Sequence, residues 1–147
     1  MIIKKIFIIN GPNLNFLGIR ELEKYGQTTY VELIHTIESK ASSLNLEVEF
    51  FQSNNEGDIV DYIQRISQLN DTWLIFNPGA FTHTSISIRD AISIFSQNNN
   101  IVEVHISDIN NREDFRKRNL IKEFSKYSII GEGINGYLKA LEYIDEE

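Results

Sequence analysis

The chain has 147 residues, 41% hydrophobic, 24% charged and 11% aromatic, the balance of one globular domain. It has no cysteine, which excludes disulfides, thiolate zinc sites and cysteine nucleophiles and suits a reducing cytoplasm. Its formal charge of −7, from 14 Lys and Arg against 21 Asp and Glu, argues against a nucleic-acid partner but leaves room for a small anion gripped by a few arginines.

Residues 1–10 carry two lysines and an apolar run, faintly like a leader. The run stops at Asn10-Gly11-Pro12-Asn13 without a small-residue cleavage site. No stretch approaches the ~20 apolar residues of a membrane span, so the expectation is an unprocessed soluble protein with no membrane partner.

The first strand is expected over residues 6–9. A helix follows, with Leu33, Ile34, Ile37, Ala41 and Leu44 at helical spacing and a Thr29/Glu32 capping box at its start. Residues 46–51 read as the second strand, and Ile59, Val60, Ile63 and Ile66 as the stripe of the next helix. The third strand is expected over 73–76, followed by a helix striped by Ile88, Ala91, Ile92 and Phe95. The fourth spans 101–106, and a short polar helix is expected around residues 112–116. The fifth spans 127–130, and Ile134, Leu138 and Leu141 stripe the last helix.

The first, third and fourth runs are almost continuously apolar, as strands buried on both faces are. Strand and helix alternating five times give a parallel sheet with helices on both sides. The expected fold is therefore α/β, a flavodoxin-like three-layer sandwich with a five-stranded parallel sheet, in a single domain over 1–147. Gly131, Gly133 and Gly136 spell a dinucleotide-binding G-x-G-x-x-G, but no second strand or acidic partner follows, so a tight turn into the last helix is expected.

Ligands of an open parallel sheet bind beyond the carboxyl ends of its strands. In the fourth strand, Glu103, His105 and Ser107 point to one face and Val102, Val104 and Ile106 to the other. Either Glu103 orients His105 as an acid or base near neutral pH, or the two are a satisfied buried pair. Asn77 and His83 flank a Pro-Gly turn and serve either a ligand or plain turn chemistry, with Thr84 or Ser85 capping the next helix. The long glycine-bounded connection near 14–27 reads as a lid carrying Arg20 and Tyr25. Tyrosine is a poor base at pH 7 unless a cation favours its phenolate, which Arg20 would do; otherwise the two are an exposed charge and a packed aromatic. Arg112, Arg116, Lys117 and Arg118 form either a carboxylate grip or a solvated helix face, with Arg112 and Arg116 one helical turn apart. His35 is expected to be structural or solvent-facing. No spacing suggests a metal site or a phosphate-cradling loop.

Five motifs in order resemble the type II 3-dehydroquinate dehydratases over residues 6–144. They are Ile9-Asn10-Gly11-Pro12-Asn13-Leu14-Asn15, Gly18-Ile19-Arg20 to Tyr25-Gly26, and Phe51-Gln52-Ser53-Asn54-Asn55-Glu56-Gly57. Asn77-Pro78-Gly79-Ala80-Phe81-Thr82-His83-Thr84-Ser85 and Glu103-Val104-His105-Ile106-Ser107 follow. The resemblance implies dehydration of 3-dehydroquinate to 3-dehydroshikimate by syn elimination through an enolate, in the shikimate or quinate pathway, with no metal, Schiff base or other cofactor. It implies Tyr25 as the base, Arg20 as the neighbour favouring its phenolate, His105 as the acid and Glu103 as the carboxylate orienting it. Asn13 would hold a water against the enolate oxygen. Asn77, His83, Ile106, Ser107 and Arg116 would bind substrate, with Arg116 on its carboxylate. Asp90 would reach the site of an adjacent subunit, in a cytoplasmic homo-oligomer built from trimers, usually four to a dodecamer. Leu22, Phe81, Asp108, Asn110 and Asn119 depart from the family pattern, and Asp108 is expected to place a negative charge near the anion site. Two rivals stand beside this reading. One is a flavodoxin-like binding module for FMN or a phosphorylated ligand; the other is a relative of the family without turnover.

Overall fold

Lys5–Asn10 (β1) and Trp73–Asn77 (β3) are the central strands of a five-stranded parallel sheet. Their apolar runs leave nearly every side chain buried, on both faces. The computed structural model describes residues 3–147. Met1 and Ile2, the start of the stretch weighed as a leader, lie outside the described residues; most of the remainder of that stretch forms β1. Glu47–Gln52 (β2), Asn100–His105 (β4) and Tyr127–Ile130 (β5) complete the sheet in the order β2-β1-β3-β4-β5. This is the doubly wound arrangement expected from the alternation of strand and helix.

Tyr30–Ser43 (α2) and Asn135–Glu146 (α6) cover one face, over Ile6, Ile8, Ile75, Val102 and Val104. Glu56–Ile66 (α3) and Ile86–Phe95 (α5) cover the other, over Phe7, Ile9, Leu74, Phe76 and Ile101. The Thr29/Glu32 capping box opens α2 as expected, with both reciprocal bonds formed. Two four-residue helices, Leu22–Tyr25 (α1) and Phe81–Thr84 (α4), sit in the connections after β1 and β3. No helix among the described residues is long and apolar enough to cross a membrane.

Two local expectations are corrected. The polar segment around residues 112–116 is not a helix. It forms separate 3₁₀ turns at Ile109–Asn111 and Asp114–Arg116, with Arg112 extended between them. Asp108 accepts bonds from the Asn110 N–H (3.1 Å) and the Asn111 amide (2.5 Å), and such local side-chain bonds compete with helix propagation. In α6 the buried positions are Gly136, Tyr137, Ala140, Leu141 and Ile144, so Leu141 of the expected stripe is buried and Leu138 only half-buried. The glycine motif there is the tight turn expected. The Gly131 and Gly133 N–H groups donate to the His105 and Ile106 carbonyls.

Candidate active site

The post-strand turns of β1 and β3 are locked together at the carboxyl edge of the sheet. The Gly11 N–H donates to the Asn77 carbonyl at 2.8 Å. A Cβ on Gly11 would lie 2.2 Å from the Pro78 carbonyl oxygen, so only glycine fits there. The segment near 14–27 folds over this edge. Buried Leu14 and Leu17 pin it, a 3₁₀ turn at Leu14–Phe16 starts it, and α1 carries Tyr25 inward. One pocket results. It is lined by Asn13, Arg20, Tyr25, Asn77, His83, His105, Ile106, Ser107, Arg112 and Arg116, with backbone and apolar groups between them.

Tyr25 stands among cations. Arg112 donates an Nη1–H to its hydroxyl oxygen at 2.7 Å, and the Arg20 guanidinium lies 4.6 Å from the ring centroid. Both guanidinium groups thus place positive charge against the tyrosine oxygen and ring. The Arg112 side chain is only 8% exposed. It also donates to Ser107 Oγ (3.3 Å), while its buried Nε has no acceptor, Glu113 Oε1 being 3.7 Å away. Glu21 faces both cations, bonded to Arg20 at 3.1 Å and 3.7 Å from Arg112.

His105 stands across the pocket. Its Nε2 is 2.5 Å from Glu103 Oε2, so Nδ1 is the ring nitrogen available to a ligand. Glu103 is completely buried but triply served: Ser128 Oγ donates at 2.7 Å to its other oxygen, and the Asn119 amide donates alongside His105. Burial pushes the Glu103 carboxyl up, but the bond and charge of His105, with Ser128 and Asn119, outweigh it and hold the group below the usual carboxylate range. The carboxylate is thus a fixed anion that orients the imidazole beside it.

His83 on α4 donates Nδ1–H to the Arg118 carbonyl at 2.7 Å. Burial, and secondarily the charges of His105, Arg116 and Arg112, lower its pKa despite that bond. It is a neutral imidazole with Nε2 as an acceptor. Asn13 adopts a left-handed conformation (φ 69°), held by its N–H bond to Asn54 Oδ1 at 2.9 Å. Arg116 is tied through Nε to Glu113 at 2.9 Å, which leaves its terminal nitrogens for an anion.

Nine of the eleven expected site residues therefore line one pocket, and Glu103 stands directly behind it. Asp90 lies apart, exposed on α5. Arg112 belongs to the basic cluster that the sequence offers as a carboxylate grip, and the family resemblance gives it no role of its own. It lines the pocket from an extended link, whereas a helix would have placed it by its spacing from Arg116. Ser128 was also missed; its signal is its register opposite Glu103 in β5, which needs the sheet order. Asp108 does not line the pocket, because its carboxylate is spent on the 109–111 turn. Asn119 serves Glu103, and Ser85 rather than Thr84 caps α5. His35 is exposed beside Glu38, as expected. No group of three or more His, Asp or Glu side chains among the described residues could hold a metal ion. A cation-flanked tyrosine, a carboxylate-backed histidine and a guanidinium suit removal of a proton, protonation of a leaving group and grip on an acid.

A family model described as Dehydroquinase class II matches residues 4–145. A 3-dehydroquinate dehydratase of Caldicellulosiruptor saccharolyticus is 50% identical over 143 residues, covering 97% of both chains. The crystal structure of type II dehydroquinase from Butyrivibrio crossotus superposes with a TM-score of 0.93 at 43% identity, covering 97% of this chain and 98% of that one. That from Propionibacterium acnes gives 0.92 at 34% identity, covering 98% and 97%.

Proposed function

The chain belongs to the class II dehydroquinase family, and on that premise we propose how it dehydrates 3-dehydroquinate to 3-dehydroshikimate. The enzyme is a hydro-lyase, and its reaction serves aromatic biosynthesis. Tyr25, as phenolate, takes the C2 proton of the substrate. The C–H electron pair moves toward the adjacent ketone and forms an enolate, whose oxygen is met by a water held on Asn13. The enolate then collapses, the bond to the departing hydroxyl breaks, and His105 supplies the proton that lets it leave as water. Both transfers occur on one face of the substrate, a syn elimination. Tyr25 ends protonated and His105 neutral, and exchange with solvent resets them.

Arg20 and Arg112 place positive charge against the Tyr25 ring and oxygen, and Glu103 orients His105. Arg116 grips the substrate carboxylate, and Asn77, His83, Ile106 and Ser107 hold the rest of the ring. Each proton-transfer group contributes about 10²–10⁴-fold. The observation that carries this reading is one pocket holding the Tyr25 hydroxyl on Arg112 at 2.7 Å and His105 on Glu103 at 2.5 Å. The binding-module alternative gives no reason for either pairing.

The assembly belongs to the same proposal. The chain forms trimers, four to a dodecamer, in the cytoplasm, and Asp90 reaches a neighbouring subunit's site. Exposed Ile86 and Ile94 on the helix that bears Asp90 support a covered surface there. Light scattering should give twelve times the mass of the chain; a monomer would remove Asp90 from the mechanism.

The reaction is tested by adding 3-dehydroquinate to chelator-treated protein and following the ultraviolet absorbance of the conjugated enone. Absorbance should rise, and His105→Ala should abolish the rise. Folded, oligomeric protein that produces none would favour the relative without turnover.

A further inference from the structure

The glycine motif at the start of α6 is not used by the chemistry above, and neither is Tyr137, the largest completely buried side chain. The two are connected. A Cβ on Gly136 would lie 3.2 Å from Val104 Cγ1 and 3.4 Å from Ile129 Cγ2, so the helix start is pressed onto the sheet. From there Tyr137 reaches the carboxyl ends of the two central strands. Asn10 and Asn77 are register partners at those ends, on the face that α6 covers.

The directions of the bonds follow from one backbone donor. The Gly79 N–H can only donate, so the Asn77 amide atom 3.2 Å from it is Oδ1. The other amide atom is then Nδ2, which donates to the Tyr137 oxygen at 2.9 Å. With its acceptor side taken, the Tyr137 hydroxyl gives its proton to Asn10 Oδ1 at 2.5 Å. Asn10 Nδ2 is turned to the Tyr30 oxygen at 3.3 Å. The second N–H of Asn77 makes none of these bonds, and Asn77 lines the active-site pocket. Burial holds Tyr137 far above the usual tyrosine range, so its phenol stays neutral at every working pH and its single proton stays committed to Asn10.

We propose that Tyr137 is a positioning residue: through the Asn10–Tyr137–Asn77 chain it fixes the Asn77 amide so that an N–H, not an oxygen, is offered to a hydroxyl or carboxylate oxygen of the substrate. The proposal rests on the reading of Asn77 as a substrate ligand. Without the hydroxyl, the Asn77 amide is held only by the Gly79 N–H on its oxygen, and its nitrogen end loses the bond that fixes where the second N–H points. The contact is made in ground and transition state alike, so its loss appears in KM rather than kcat.

The test is a double-mutant cycle in 3-dehydroquinate turnover. Tyr137→Phe should raise KM about tenfold, equivalent to about 1.4 kcal/mol, with kcat changed less than about threefold. Asn77→Ala should raise KM at least as much, and adding Tyr137→Phe to it should cost little more. An unchanged KM in Tyr137→Phe, or an equal penalty in both backgrounds, would overturn the proposal, since the tyrosine would then serve only the core. Asn10→Ala, which removes the acceptor that orients the hydroxyl, gives the same reading if Tyr137→Phe does not fold, and an unchanged KM there is equally fatal. If the parent turns over and Asn77→Ala keeps its KM, the Asn77 contact is wrong and the positioning role falls with it. If the parent does not turn over, the failure lies in the functional reading itself.

Discussion

Arg112→Met keeps most of the buried side chain's volume and removes its charge and donors. Arg112 makes the short bond to the Tyr25 oxygen, whereas Arg20 lies against the ring. A hydrogen bond to a charged group contributes about 1.5–3 kcal/mol. At about 1.4 kcal/mol per factor of ten, kcat should fall about 10- to 150-fold near neutral pH. Arg20 remains, so activity should not vanish. KM should change little, since Arg116 keeps the substrate carboxylate. Initial rates of enone formation near pH 7 decide it. A loss under threefold would refute the role of Arg112 at Tyr25.

Other perturbations separate the remaining parts. Tyr25→Phe should lose nearly all kcat while calorimetry still detects substrate binding; near-normal turnover would remove Tyr25 as base. Arg116→Ala should raise KM by about 10- to 100-fold through loss of a charge-assisted contact, and an unchanged KM would move the carboxylate site elsewhere. Glu103 has a folded pKa below its unfolded one, so the unfolded chain binds the extra proton in that interval. Its contribution to stability is complete above the usual carboxylate value and is lost as pH falls through the folded value. Glu103→Gln should flatten the acid side of a stability-versus-pH curve, and an unaltered slope would contradict the assignment. Gly11→Ala should lower the melting temperature and the activity together, because its Cβ would collide with the Pro78 carbonyl; wild-type behaviour in both would show that the turn has slack.

The layers of the fold were legible because burial on both faces leaves continuous apolar strands, and alternation with amphipathic helices admits few topologies. The Glu103–His105 pair was legible for a related reason. Two polar groups on one side of a buried strand must meet a partner or a ligand, and the two-residue period says which side. Arg112 was harder to place. Its spacing from Arg116 suggests a helix face, but Asp108, Asn110 and Asn111 satisfy one another locally and break the helix into turns. Tyr137 was passed over because a stripe of Ile134, Leu138 and Leu141 counts apolar residues, and a phenol whose partners lie 60 and 127 residues away leaves no periodic trace. Ser128 depends likewise on which strand lies beside β4. Adjacency across a sheet is a property of the assembled fold, and the supporting residues around this site are placed by adjacency.

The division of labour between Tyr25 and His105 is the centre of the account, and exchange at the substrate C2 position in deuterated water tests it most directly. Proton NMR of 3-dehydroquinate should show His105→Ala incorporating deuterium at C2 with little product, because the enolate forms but the hydroxyl is not expelled. Tyr25→Phe should show neither exchange nor product beyond the enzyme-free background. Persistent exchange in Tyr25→Phe, or exchange abolished only by His105→Ala, would contradict the account and reverse the assignment of base and acid.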